Sequence, residues 1–102
     1  MKEKEQSELK EHIISTINNL YKDSNEPNPT IAIIGDTLSC KKIAYAFGQG
    51  NIINAIINNE DTHIKLEYAS VDIIYDKYTI RLIYNNKMNH KNNIYIIPCD
   101  RV

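Results

Sequence analysis

Residues 30–48 read TIAIIGDTLSCKKIAYAFG. An unbroken apolar run, 30–34, leads into Gly35-Asp36-Thr37, then a lysine pair, Lys41 and Lys42, then apolar residues at helical spacing. This is the pattern of a strand, a tight turn and a helix. The strand lacks polar alternation, which predicts burial on both faces and a central place in a sheet. Asp36, Thr37 or Ser39 is expected to cap the helix, because a short oxygen-bearing side chain there accepts an otherwise unpaired N–H. Leu38, Ile43, Ala44 and Phe47 are expected on its buried side. Gly48 and Gly50 interrupt the pattern, as a kink or a short turn. A second helical piece, 51–59, would then carry Ile52, Ile53, Ile56 and Ile57 on one face.

Upstream, residues 7–22 place Leu9, Ile13, Ile14, Ile17, Leu20 and Tyr21 on one stripe of an amphipathic helix, with Ser7 as its expected N-cap. Pro27 and Pro29 separate it from the strand. Downstream, from His63, the apolar period changes to two. Ile64, Leu66 and Tyr68, then Val71, Ile73 and Tyr75, then Tyr78, Ile80, Leu82 and Tyr84 alternate with polar neighbours. These are half-buried antiparallel strands. Asp76-Lys77 is the expected hairpin turn, and residues 94–97 form a last short strand stopped by Pro98. The predicted fold is α/β in the two-layer α+β sense. Helices lie on one face of a mixed, mostly antiparallel sheet, in the order α-β-α-(α)-β-β-β-(β). Ile33, Ile34, Ile43, Phe47, Ile64, Leu66, Ile80 and Leu82 are the expected core. The 102 residues read as a single domain, 1–102, with 1–6 as a disordered tail.

Hydrophobic residues make up 42% of the chain and charged residues 25%, which points to a globular, soluble protein rather than a disordered one. No apolar run approaches the roughly 20 residues of a membrane span. The charged start, MKEKEQSELKEH, is unlike a signal peptide, so an intracellular location, cytoplasmic or nuclear, is expected. The net charge of −1 counts against binding driven by bulk positive charge. Cys40 and Cys99 are far apart and His12, His63 and His90 are scattered, so neither a metal nor another cofactor is expected. Ile, Asn, Lys and Tyr are abundant throughout, so lysine number alone carries no functional weight.

Gly35 and Lys41 stand at the spacing of the first Gly and the Lys of a phosphate-binding loop. However, Cys40 replaces its second Gly and Lys42 its Ser/Thr, which removes both the backbone cradle and the magnesium hydroxyl. A capped turn is the expected reading, with an anion contact at Gly35, Asp36, Thr37 and Ser39 as the alternative. Cys40, beside two lysines in a helix's first turn, has surroundings that favour thiolate. No histidine is near it in sequence, and it reads as a packed residue. Gly48-x-Gly50 lacks the third Gly and the preceding strand of a dinucleotide fingerprint. Asp72, Asp76 and Glu67 read as a solvated face rather than a carboxylate pair. No nucleophile, base and electrophile converge, so an enzyme is not expected. Tyr68, Tyr75, Tyr78 and Tyr84 lie near Lys65, Lys77 and Arg81. Such a set suits base stacking if exposed, and core or partner packing if not.

The stretch IAIIGDTLSCKKIAYA, 31–46, with the helix before it and the hairpin after it, resembles the Alba-like proteins. These are the archaeal chromatin family that includes two small subunits of eukaryotic RNase P and MRP. Gly35 followed by Lys42 matches the family's small-residue turn and basic residue. Thr37 stands where the family has its second glycine, and no counterpart of its first strand precedes Ser7. The resemblance implies a dimeric, non-enzymatic protein that binds RNA or DNA, with Lys41 and Lys42 on phosphate and Lys77 and Arg81 on a hairpin arm. The residues alone also allow a protein-interaction or dimerisation module, or a subunit of a larger assembly, that uses Tyr/Ile-rich strand faces. A third reading is a nucleotide or anion sensor at the Gly35 turn.

Overall fold

The computed structural model describes residues 3–51, 68–85 and 94–99. Its elements are α1 (Glu3–Tyr21), β1 (Thr30–Gly35), α2 (Thr37–Ala46), β2 (Tyr68–Tyr75), β3 (Tyr78–Asn85) and β4 (Ile94–Pro98). The expected helical residues 52–59, the strand residues 63–67 with Ile64 and Leu66, and His90 lie outside the described residues.

The four strands form one mixed sheet in the order β2-β3-β1-β4. β1 is central, parallel to β3 and antiparallel to β4, while β2 and β3 form an antiparallel hairpin. The turn is the expected Asp76-Lys77, closed by the Tyr75–Tyr78 pair. Asp76 takes a left-handed φ of 53°, which Asp tolerates better than most residues.

Alternation sorts the side chains. Ile31 and Ile33 of β1, Tyr78, Ile80, Leu82 and Tyr84 of β3, and Val71 and Ile73 of β2 are buried together with Ile13, Ile17 and Tyr21 of α1 and Cys40, Ile43 and Ala44 of α2. Both helices therefore cover one side of the sheet. Of the expected core, Ile33, Ile43, Ile80 and Leu82 are fully buried and Phe47 packs half-buried against it. Ile34 is half-buried on the opposite side, as its odd register from Ile33 requires.

Two local expectations are corrected, and one left open is resolved. α1 starts at Glu3, so Glu3–Gln6 extend the helix rather than trail from it, and Ser7 lies inside it. Leu38 is 56% exposed: at about 100° per residue it falls on the stripe of Lys42 and Tyr45, not on that of Cys40, Ile43, Ala44 and Phe47. Of the kink and the short turn, the break after α2 is the short turn. Gly48, at φ 75°, donates to the Tyr45 carbonyl at 3.1 Å and Gln49 donates to the Ala44 carbonyl at 2.7 Å. This pair of bonds is a Schellman cap, which glycine enters without steric cost. Gly50 and Asn51 are helical again.

Candidate functional site

At the start of α2, Asp36 is the N-cap and its Oδ1 accepts from the Ser39 N–H at 2.8 Å. The hydrogen bond from the Ser39 side chain holds the Asp36 carboxyl below its ordinary value. Burial opposes this, and the Ser39 N–H and the charge on Lys42 add to it. The turn's own carboxylate thus occupies the position at which a helix N-terminus would receive an anion. Cys40 is fully buried; its thiol donates to the carbonyls of Ile83 at 3.5 Å and Gly35 at 3.6 Å. Burial pushes it up to about 12, so the lysines beside it in sequence do not make it a thiolate.

A cleft of about 490 Å³ opens between α1 and α2. Glu5, Glu8 and His12 line its α1 side and Ser39 and Lys42 its α2 side, over a floor that includes Leu9. Two carboxylates against one lysine is the wrong balance for a phosphate pocket.

The cationic residues singled out in the sequence are not brought together. Lys41 and Lys42 follow the Gly35 end of β1. Lys77, in the β2–β3 turn, precedes the end of β3 that lies level with Thr30. From Thr30 to Gly35 the strand rises about 17 Å at about 3.3 Å per residue, so the two groups sit at opposite ends of the sheet. Lys77 lies over the Tyr78 ring, 5.5 Å from its centroid. Arg81 is mid-strand on the helix-free side, where it pairs with Asp72. Tyr78 and Tyr84 are buried and Tyr75 half-buried, so none of the three is an open stacking platform. Tyr78 instead donates to Asn18 at 3.1 Å and packs against the Tyr21 ring. The Tyr75 ring meets Phe47 edge-on, with Lys10 over both rings.

The helix-free side of the sheet is a second candidate. Register aligns three rows across it: Ile74, Thr79 and Thr30; then Asp72, Arg81, Ala32 and Ile97; then Ser70, Ile83, Ile34 and Tyr95. Ile74 is 73% exposed, Tyr95 48% and Ile97 46%. Ile74 lies on the β2 edge of this face and Tyr95 and Ile97 on its β4 edge. Tyr95 and Ile97 carried no signal in the sequence, because β4 is apolar on both faces.

Among the described residues, no group of three or more His, Cys, Asp or Glu could hold a metal ion. No helix among them is long and apolar enough to cross a membrane. Comparison of the chain with family models, with characterised proteins and with solved structures gives no match.

Proposed function

We propose that this chain is a non-enzymatic protein-interaction module that docks through the helix-free face of its sheet. One observation carries this reading: Ile74, Tyr95 and Ile97 are exposed on the same face as half-buried Ile34 and Ile83. Covering such side chains gains about 25 cal/mol for each Å² of apolar surface removed from water. The face belongs to a sheet whose other side is packed by α1 and α2, so little backbone ordering should oppose docking.

Binding of RNA or DNA is the second reading. It stands on Lys41 and Lys42, neighbours in α2 that make no ion pair with any described residue. It has to accommodate the separation of these lysines from Lys77 and the engagement of Arg81 by Asp72.

Site-specific photocrosslinking tests the two together. A photoreactive residue is placed in turn at Ile74, Ile97, Lys41 or Lys42, with Glu26 as an exposed control outside the sheet, and irradiated in extract of the source cells. Protein adducts from positions 74 and 97, and none from 26, are expected. The absence of any protein adduct from either face position overturns the proposal, and nucleic-acid adducts from position 41 or 42 would favour the second reading.

A further inference from the structure

We infer that the cleft between α1 and α2 binds a small organic monocation, an ammonium group carried on an apolar body. The inference goes beyond the interaction-module reading and is independent of it, since the two helices cover the other side of the sheet.

Helix period builds the cleft. Glu5, Glu8 and His12 recur three and four apart, so they form one stripe along α1. Leu9 lies on the inner side of this stripe and packs against the core. On α2, Ser39 and Lys42 are three apart and line the facing wall, and Ile43 beside them is fully buried. Ile94 of β4 completes the floor. Gly35 lets this floor close, because a Cβ there would press on Ile94 Cγ2 and on the Ser39 Cβ, each at 3.3 Å. The space of about 490 Å³ thus has a packed apolar floor beneath charged walls. Its volume is within the range of about 300–1,000 Å³ that small-molecule sites occupy.

The walls choose the charge of the ligand. Among the described lining residues, Glu5 and Glu8 outweigh Lys42 by one negative charge, with histidine neutral. Lys42 shares the cleft with both carboxylates yet forms no ion pair with either, so both are open to an incoming donor. An anion would meet the two carboxylates, and the second charge of a dication would meet Lys42. No described group of three or more His, Cys, Asp or Glu could hold a bare metal ion. The floor adds the demand for an apolar body, since Leu9, Ile43 and Ile94 gain from being taken out of water. From Glu5 to His12 the stripe is about 10 Å long, at about 1.5 Å per residue, which suits an arylalkylamine. Glu5 and Glu8 are exposed, so water and salt screen their attraction. A Kd on the order of 1 mM is expected.

The test is an amide NMR titration of the full chain with phenethylamine up to about 10 mM, a range that spans this Kd. Phenethyl alcohol supplies the same body without charge, hydrocinnamate the same body with the opposite charge, and methylammonium the charge without the body. Phenethylamine should move the amides of Leu9, Ser39 and Ile43 saturably, and the other three should bind far more weakly. Glu5→Gln/Glu8→Gln should weaken phenethylamine about tenfold, and Lys42→Met, which removes the opposing cation, should tighten it. Glu11→Gln/Glu26→Gln removes the same net charge from exposed positions outside the cleft and should leave binding unchanged. Circular dichroism confirms that each variant is folded. No saturable shift from phenethylamine overturns the inference, as does an uncharged or anionic probe bound as tightly. Equal binding by the two double variants overturns it as well.

Discussion

Arg81 holds Asp72 through two hydrogen bonds across the β2–β3 pair, Nε to Oδ1 at 3.0 Å and Nη2 to Oδ2 at 3.3 Å. Both side chains are close to half exposed. A pair this open to water contributes little to folding, because solvent screens the attraction and two long side chains lose freedom in forming it. Asp72→Ala and Arg81→Ala should therefore each leave the thermal midpoint almost unmoved. A large drop in midpoint would show that the pair is a folding element.

Asp36 has the opposite character. Its carboxylate supplies the partner of the Ser39 N–H at the head of α2. Asp36→Ala should cost about 1 kcal/mol, read as a lower urea midpoint at unchanged slope. The folded carboxyl titrates below its ordinary 3.8. Its contribution is therefore present above that value and is lost as the pH falls through the lower folded one. Asp36→Asn should keep much of the cap and lose this acid dependence. An unchanged acid profile in Asp36→Asn would assign the effect to another carboxylate.

The sheet side of the fold was legible because strand period is a local property. Val71, Ile73, Tyr78, Ile80, Leu82 and Tyr84 alternate in sequence and are buried as a set. The continuous apolar run of β1 announced a central strand, and β1 lies between β3 and β4. What was not legible is non-local. Nothing in the sequence shows that β1 and β3 run parallel, and this one fact sends Lys77 to the opposite end from Lys41 and Lys42. Arg81 and Lys77 are neighbours along the hairpin, yet Arg81 is taken by Asp72 while Lys77 sits at the turn. Tyr95 and Ile97 were hidden for a related reason. An all-apolar strand does not say which of its faces is covered, and that depends on which side the helices take.

Cys40 and Cys99 should separate cleanly by reactivity. Cys40 is buried and Cys99 exposed. At about pH 8, below the ordinary thiol value, a thiol-reactive disulfide reagent should label Cys99 rapidly and Cys40 only at the rate of unfolding. The folded Cys40 thiol ionises near 12 against an ordinary value of 9.0. Its neutral form thus stabilises the fold fully below pH 9.0, and that stability is lost by about 1.4 kcal/mol per pH unit as pH rises towards 12. Denaturant midpoints measured in a Cys99→Ser background, for the chain with Cys40 and for its Cys40→Ala variant, isolate this slope. Equal slopes for the two would refute the assignment.

Gly50 is needed for a reason other than Gly48's. A Cβ on Gly48 meets nothing within 4 Å, so Gly48→Ala should cost only the left-handed backbone, about 1–2 kcal/mol. A Cβ on Gly50 would run into the Tyr45 ring. Gly50→Ala must push that ring aside and forfeit its packing. In a Tyr45→Ala background the same substitution should be neutral or mildly stabilising, since alanine suits a helical position better than glycine. A double-mutant cycle by urea denaturation reads the coupling, and additive costs would mean that the ring and the glycine do not meet.

The separation of the lysines makes the nucleic-acid reading quantitative. A single copy can lay Lys41 and Lys42 on one run of phosphates, but not Lys77 as well, because the length of β1 lies between them. Each phosphate neutralised on duplex DNA contributes about −0.9 to the slope of log affinity against log salt. Any binding of a short duplex by the monomer should therefore show a slope of about −2. It should vanish in the Lys41→Ala/Lys42→Ala double variant and persist in Lys77→Ala. A slope of about −3, sensitive to Lys77, would require both ends of the sheet to reach the same duplex.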